Sequence, residues 1–190
     1  MATLAPVLFD SDLPLAELCA ARLDGELFAL DDGFCPIDQP ETRESRARSI
    51  APHCRDRIIA ERHTAAWIWG ARDRPPEPLE LCANIDARAR PIISQRAIRR
   101  EVVVDPDELR EVAGILVTNP LRTAIDIARF SVEFGDFDCA VVGRLVHLGN
   151  FTLADCRRAL DRRTNLPNKV RAWERLSRAV EARNYPELTR

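Results

Sequence analysis

At 190 residues the chain has room for one large domain or two small ones, and for a substantial core. A hydrophobic fraction of 46% beside 31% charged residues excludes an intrinsically disordered chain, and no apolar run reaches the length of a membrane span. The net charge of −2 excludes a global pull on nucleic acid, so any such role must come from where the charges sit.

Those charges fall in alternating blocks. Residues 1–50 carry 4 basic against 10 acidic side chains, residues 51–100 carry 10 against 6, residues 101–150 carry 4 against 9, and residues 151–190 carry 10 against 5. Lys169 is the only lysine, so each positive block is a set of forked guanidinium donors suited to phosphate or carboxylate. No basic region followed by an apolar stretch opens the chain, which sets the expectation of a cytoplasmic protein.

Met1 to Asp12 reads as a short arm and Leu13 to Leu23 as a helix stopped by Asp24-Gly25. Glu26–Leu30 and Phe34–Ile37 are two strands around an Asp31-Asp32-Gly33 turn. Helix then hairpin is the closing half of a winged-helix unit, and only a dozen residues precede it, so the expected unit is truncated. Glu41 to Ile50 is a short helix and Ile58–Ala60 a short strand. Arg62 to Gly70 is a compact helix ended by glycine; Trp67 and Trp69 point apart on it and are both assigned to the core. Leu79–Ile85, Ile92–Ile98 and Glu101–Val104 read as strands separated by arginine-rich turns at 88–90 and 99–100. Asp107 to Val112 reads as a helical turn.

The strand Ile115–Val117 feeds the best-defined helix of the chain. Asn119 can cap it, Pro120 suits its first turn, and Leu121, Ala124, Ile125 and Ala128 share one apolar face. Arg122 and Asp126 lie one turn apart, with Arg129 three residues beyond. Base before acid is the weaker order for a local pair, which favours a tertiary contact and leaves an ordinary i,i+4 surface pair as the alternative. Further on, Asp136 or Asp138 caps a helix with Phe137, Val141, Leu145 and Leu148 inside. Thr152-Leu153-Ala154-Asp155 is a capping box opening the next helix, with Cys156 and Leu160 inside. The last helix starts near Pro167 with Val170, Trp173, Leu176 and Val180 as its stripe, beside an arginine ridge of Arg171, Arg175 and Arg178.

Enzyme signatures are missing: there is no nucleophile elbow, phosphate loop or dinucleotide fingerprint. No catalytic residue and no cofactor are therefore expected. The six cysteines contain no C-x-x-C pair, and most read as small buried hydrophobes. Cys54 with His53 or His63 is the one grouping for a metal, and no metal is expected. His63, at a helix start, and His147, near a helix end, take structural roles.

His63-Thr64-Ala65-Ala66-Trp67-Ile68-Trp69-Gly70 resembles the "S/R-H-x-A-A-x-x-x-G" segment of the AbiEi family, the antitoxins of type IV toxin–antitoxin systems and their actinobacterial relatives. Val117 to Ala128 is similar to its "V-T-x-P-x-R-T-x-x-D-L-A" segment, and Gly25 to Phe34 to its wing hairpin. The resemblance implies an α+β fold, with a truncated winged-helix-like unit over residues 1–50. An AbiEi-like α+β domain with C-terminal helices would occupy residues 51–190, without the nuclease-like domain of longer relatives. It implies a DNA-binding regulator or antitoxin that controls its own operon as a homodimer, neutralises a nucleotidyltransferase-like toxin, and does not act at membranes. On that reading operator DNA meets Arg22, Arg43, Arg46, Arg48, Arg55, Arg57, Arg171, Arg175 and Arg178. His63, Thr64, Arg122, Thr123 and Asp126 form the structural motif. Asp31 and Asp32 at the wing tip would repel phosphate, which keeps open an alternative: a module that binds a toxin or other protein through the sheet region and the last two helices.

Overall fold

The computed structural model describes residues 6–55, 57–86 and 95–184. Helix α1 (Leu15–Leu23) is followed by a two-stranded antiparallel hairpin, β1 (Leu27–Leu30) and β2 (Gly33–Pro36), whose register pairs Leu30 with Gly33 across an Asp31-Asp32 loop. The described part of the N-terminal arm packs on this hairpin: Leu8 bridges Phe34 in antiparallel fashion, and Val7 is buried. Gly33 is required here, because a Cβ would lie 2.3 Å from Val7 Cγ1.

Helix α2 (Arg43–Ser49) opens with a reciprocal Thr42–Ser45 capping box, and a 3-10 turn at Ala51–His53 follows. Strand β3 (Ile59–Ala60) leads into α3 (Arg62–Ile68). Four more strands complete a five-stranded mixed sheet: β4 (Leu79–Asn84), β5 (Ala97–Val102), β6 (Leu109–Val112) and β7 (Ile115–Thr118), in the order β5-β4-β3-β7-β6. Strands β3 and β7 run parallel, as do β4 and β5. The rest is helical, with α4 (Pro120–Phe130), α5 (Asp136–Gly149), α6 (Leu153–Asp161) and α7 (Lys169–Asn184). No helix among the described residues is long and apolar enough to cross a membrane.

Two cores flank α3. Trp67, Ile68 and Ala65 turn towards the sheet with Ile58, Leu79, Leu81 and Val117, and Val7, Leu30, Cys35, Ala47 and Ile50 join the same cluster. Packing is therefore continuous across residue 50. On the other side Ala66 meets α4 to α7, where Ile127, Val142, Leu145, Leu160 and Leu176 interlock. Trp67 is fully buried, whereas Trp69 is half-buried and donates its indole N–H to Thr118 O at 2.8 Å.

The elements differ from the sequence expectations in several places. Arg99-Arg100 is no turn: β5 runs through it, paired residue for residue with β4. The expected turn at 88–90 and residues 92–94 of the expected strand lie outside the described residues. Within 107–112 only the 3-10 turn Pro106–Glu108 is helical, and Leu109–Val112 is an edge strand against β7. Gly135, not an aspartate, precedes α5 without a side-chain cap. Phe137 and Leu148 face outward, at 58% and 50% exposed, and Val170 is 73% exposed. Ala172 and Ala179 take the inner positions of α7 instead, where small side chains let α5 approach closely.

Candidate functional site

The two strongest motifs of the sequence meet at the carboxyl ends of the parallel strands β3 and β7, where α3 and α4 begin. This is the place where open sheets of this kind present side chains to ligands. Helix α4 forms as its sequence dictates: Asn119 Oδ1 accepts from the Arg122 amide at 2.8 Å, and Pro120 occupies the first turn. Its position is less ordinary, for residues 122–129 are all buried, Arg122, Asp126 and Arg129 among them.

Asp126 is the hub. Its carboxylate accepts from Arg122 Nε at 2.8 Å, Arg129 Nη1 at 2.9 Å and Arg100 Nη2 at 3.3 Å. Arg100 reaches over from β5 and holds the fully buried Glu61 with Nε and Nη2 at 2.6 Å each to separate oxygens. Arg122 continues to Glu108 Oε2 at 2.5 Å and to Val103 O at 3.3 Å. Arg163, from the segment after α6, closes the circuit on Glu108 and Asp105 at 2.8 and 3.0 Å. The Phe130 ring lies under the guanidinium groups of Arg100 and Arg129, at 4.0 and 4.5 Å from its centroid.

Electrostatics follow from burial and pairing. Burial pushes the Glu61 carboxyl above the usual range against the pull of Arg100 and Arg62. It pulls Arg129 down, helped by repulsion from Arg122. Burial works against Arg122 too, but Asp126 and Glu108 overcome it and raise that guanidinium. Charges this deep persist only when each is paired and hydrogen-bonded.

The other motif residues tie the two helices down. Thr123 Oγ1 donates to Thr118 O at 3.0 Å and lies 2.7 Å from Thr118 Oγ1. Thr64 Oγ1 accepts from the Glu80 amide at 2.7 Å, while the His63 amide donates to Glu80 Oε2 at 2.8 Å. A tertiary carboxylate thus serves the start of α3, which has no side-chain cap of its own. The His63 ring pairs with Asp138 Oδ1 at 3.2 Å. Glu61, Glu80, Arg100, Glu108 and Asp138 carry much of this network and were not expected from sequence. The available signal was Glu61-Arg62 wedged between two apolar runs, where a charge has little choice but to be buried.

The arginines expected at DNA lie in two settings. Arg22, Arg43, Arg48, Arg55 and Arg57 are exposed on the N-terminal half. Arg46 instead donates to Glu41 at 2.5 Å and to Trp67 O at 2.6 Å. The ridge on α7 is turned to the carboxyl end of α4 and the turn beyond it. Arg171 donates to Arg129 O, Arg175 to Ala128 O and Ser131 O, and Arg178 to Phe134 O, at 2.5 to 3.0 Å. Those of Ala128 and Arg129 are carbonyls that α4 leaves unpaired as it ends, while those of Ser131 and Phe134 belong to the turn beyond it.

The clefts differ in character. A 390 Å³ cleft beside the network is lined by Arg100, Arg122, Arg129, Phe130 and Arg163. A 790 Å³ groove between α5 and α7 is lined mainly by small and apolar groups, including Cys139, Ala140, Gly143 and Ala179. Burial pushes the thiols of Cys35, Cys54 and Cys156 up to about 11, 12 and 12, so they are protonated and weak as nucleophiles. One group of side chains among the described residues could hold a metal ion: Asp31, Asp32 and His53.

Fold and site together define an α+β scaffold with an ionic lock at its centre. The sequence model of the AbiEi antitoxin C-terminal domain matches residues 59–181, and the chain belongs to that family. Among solved structures, the crystal structure of the RV2827C protein from Mycobacterium tuberculosis is similar in fold. It has a TM-score of 0.50 and 17% identity, covering 94% of this chain and 72% of that one. No curated protein matches the sequence.

Proposed function

We propose that this protein is an antitoxin whose AbiEi body neutralises a nucleotidyltransferase-like toxin by direct contact. The observation that carries the reading is the family match over 59–181, laid on motif residues that are consumed in holding α3 and α4 to the sheet. A rigid body of this kind suits recognition, and we assign it no reaction. The surface proposed for the toxin is the sheet region with the last helices, where the α5–α7 groove offers a 790 Å³ opening lined mainly by small and apolar groups. Co-expression with a nucleotidyltransferase-like toxin, sought first in the adjacent reading frame, is expected to give a stable complex and to relieve growth arrest. Ala140→Arg, at an exposed position in the groove, should abolish both while leaving thermal unfolding unchanged. Failure of the wild-type protein to bind or rescue would overturn the proposal.

A second reading, DNA binding with control of its own operon in the cytoplasm, is favoured by the exposed Arg22, Arg43, Arg48, Arg55 and Arg57. Helix α1 buries only Leu18 and exposes Leu15 and Leu23, an edge that a second copy would cover in a homodimer. Affinity for upstream DNA should then fall steeply with salt, and each removed arginine should flatten that slope. Binding that is undetectable or indifferent to salt would count against it.

A further inference from the structure

The β1–β2 loop brings two carboxylates against the 3-10 turn that follows α2. His53 Nε2 meets Asp32 Oδ2, and one donor atom from each of Asp31, Asp32 and His53 lies within 4.8 Å of the others. The Asp31 side chain is only 4% exposed, and its Oδ2 is buried without a hydrogen-bond partner. A carboxylate oxygen in that condition is costly, because nothing replaces the water it has lost. Charge is out of balance as well. Among the described residues the guanidinium paired with the two aspartates is that of Arg96, itself 52% exposed, which reaches Asp32 Oδ1 and, at 3.3 Å, Asp31 Oδ1. Burial, then the adjacent Asp32, push the Asp31 carboxyl above its ordinary range.

We infer that Asp31, Asp32 and His53 form a binding site for a transition-metal dication of the zinc class, which clamps the β1–β2 hairpin to the turn after α2. Imidazole nitrogen and carboxylate oxygen are both zinc ligands, and water would complete a tetrahedron around three of them. Calcium and magnesium would demand more oxygen ligands. A 430 Å³ cleft lined by Asp31, Glu77, Pro78 and Arg96 gives the ion a way in. The ion takes the place of the Arg96 guanidinium. The site's partners for His53 are thus the hairpin aspartates, where the sequence suggested Cys54. It stands apart from the α5–α7 groove and does not depend on the antitoxin reading.

Chelator-stripped protein is titrated with Zn²⁺ by calorimetry and followed by thermal unfolding. One ion per chain and an upward shift in melting temperature are expected. Asp31→Asn and His53→Gln should lose both, and Cys54→Ser should keep both. Arg96→Gln should bind zinc at least as tightly as wild type and recover its stability when the metal is added, which a purely structural Arg96 would not allow. The inference is overturned if no saturable one-to-one binding is seen. Binding that survives Asp31→Asn and His53→Gln but disappears on thiol alkylation would also overturn it, placing the metal on cysteines.

Discussion

The two clusters of buried charge in this molecule differ in how completely they are satisfied. Around Asp126 the two most deeply buried carboxylates, Asp126 and Glu61, each meet guanidinium groups from two elements, and Arg122 reaches a backbone carbonyl as well. The unpaired atom on this side is a donor, Arg62 Nε, which still lies 3.3 Å from Glu61. At the tip of the β1–β2 hairpin two carboxylates share, among the described residues, one half-exposed arginine and the His53 ring, and Asp31 Oδ2 has no hydrogen-bond partner. The first pattern belongs to architecture, since buried pairs of this kind hold elements in a single arrangement. The second is an unfinished site. Charge density alone would not separate them; the count of donors against acceptors does.

The largest effect should come from breaking the complete cluster. Asp126→Ala leaves three arginines without their shared acceptor and should cost about 3–5 kcal/mol in denaturant unfolding. Next comes the seat of α4 against the end of α5. A Cβ on Gly149 would lie 2.7 Å from Pro120 Cβ and 2.8 Å from the Phe151 ring, so Gly149→Ala should cost about 1–3 kcal/mol in the same assay. Asn119→Ala, which removes the α4 cap, should cost about 1 kcal/mol. At the incomplete cluster the effect should nearly vanish. In metal-free protein Asp31→Asn removes a buried charge with an unpaired oxygen, and stability should stay within about 0.5 kcal/mol of wild type or rise. A loss as large as that of Asp126→Ala would erase the distinction between the two clusters.

Thiol labelling sharpens the same contrast. The thiolate is the reactive form, so a thiol pushed upward by burial labels slowly at pH 8 and faster as pH rises towards that value. Cys54, pushed to about 12 beside Asp31, and Cys82, pushed higher still beneath Glu61, should both be slow in the native state. Exposed Cys19 should label first. Cys54 should precede Cys82, because the hairpin side is held by fewer satisfied contacts. The reverse order would place the weaker packing around Asp126.

What the sequence disclosed was local. The Asn119 cap, the α4 face, the Thr152–Asp155 capping box and the hairpin around Asp31-Asp32 rest on spacings of a few residues, and the structure places each there. The base-before-acid order of Arg122 and Asp126 favours contacts beyond the helix, and the structure has both: the i,i+4 pair forms, and Arg100 and Glu108 join it from outside α4. The other members of the network were out of reach. Glu61 and Arg100 lie 39 residues apart and are joined only by the β3–β4–β5 order of the sheet. Arg99-Arg100 carries the composition of a turn, because an inward-facing arginine on a strand becomes legible only once its buried acid is known. The α7 ridge was visible as spacing, but its recipients are backbone carbonyls, which leave no trace in residue type. Val170 failed as a stripe residue because close approach of α5 favours Ala172 and Ala179 at the buried positions.

The central claim is that Arg122 and Asp126 act as one structural unit that holds α4 in the scaffold. A double-mutant cycle of Arg122→Met and Asp126→Leu, followed by equilibrium unfolding, tests it most directly. Strong coupling of at least about 1 kcal/mol is expected, with the double variant less damaged than the sum of the singles. Additive losses, or single variants that unfold like wild type, would contradict the account.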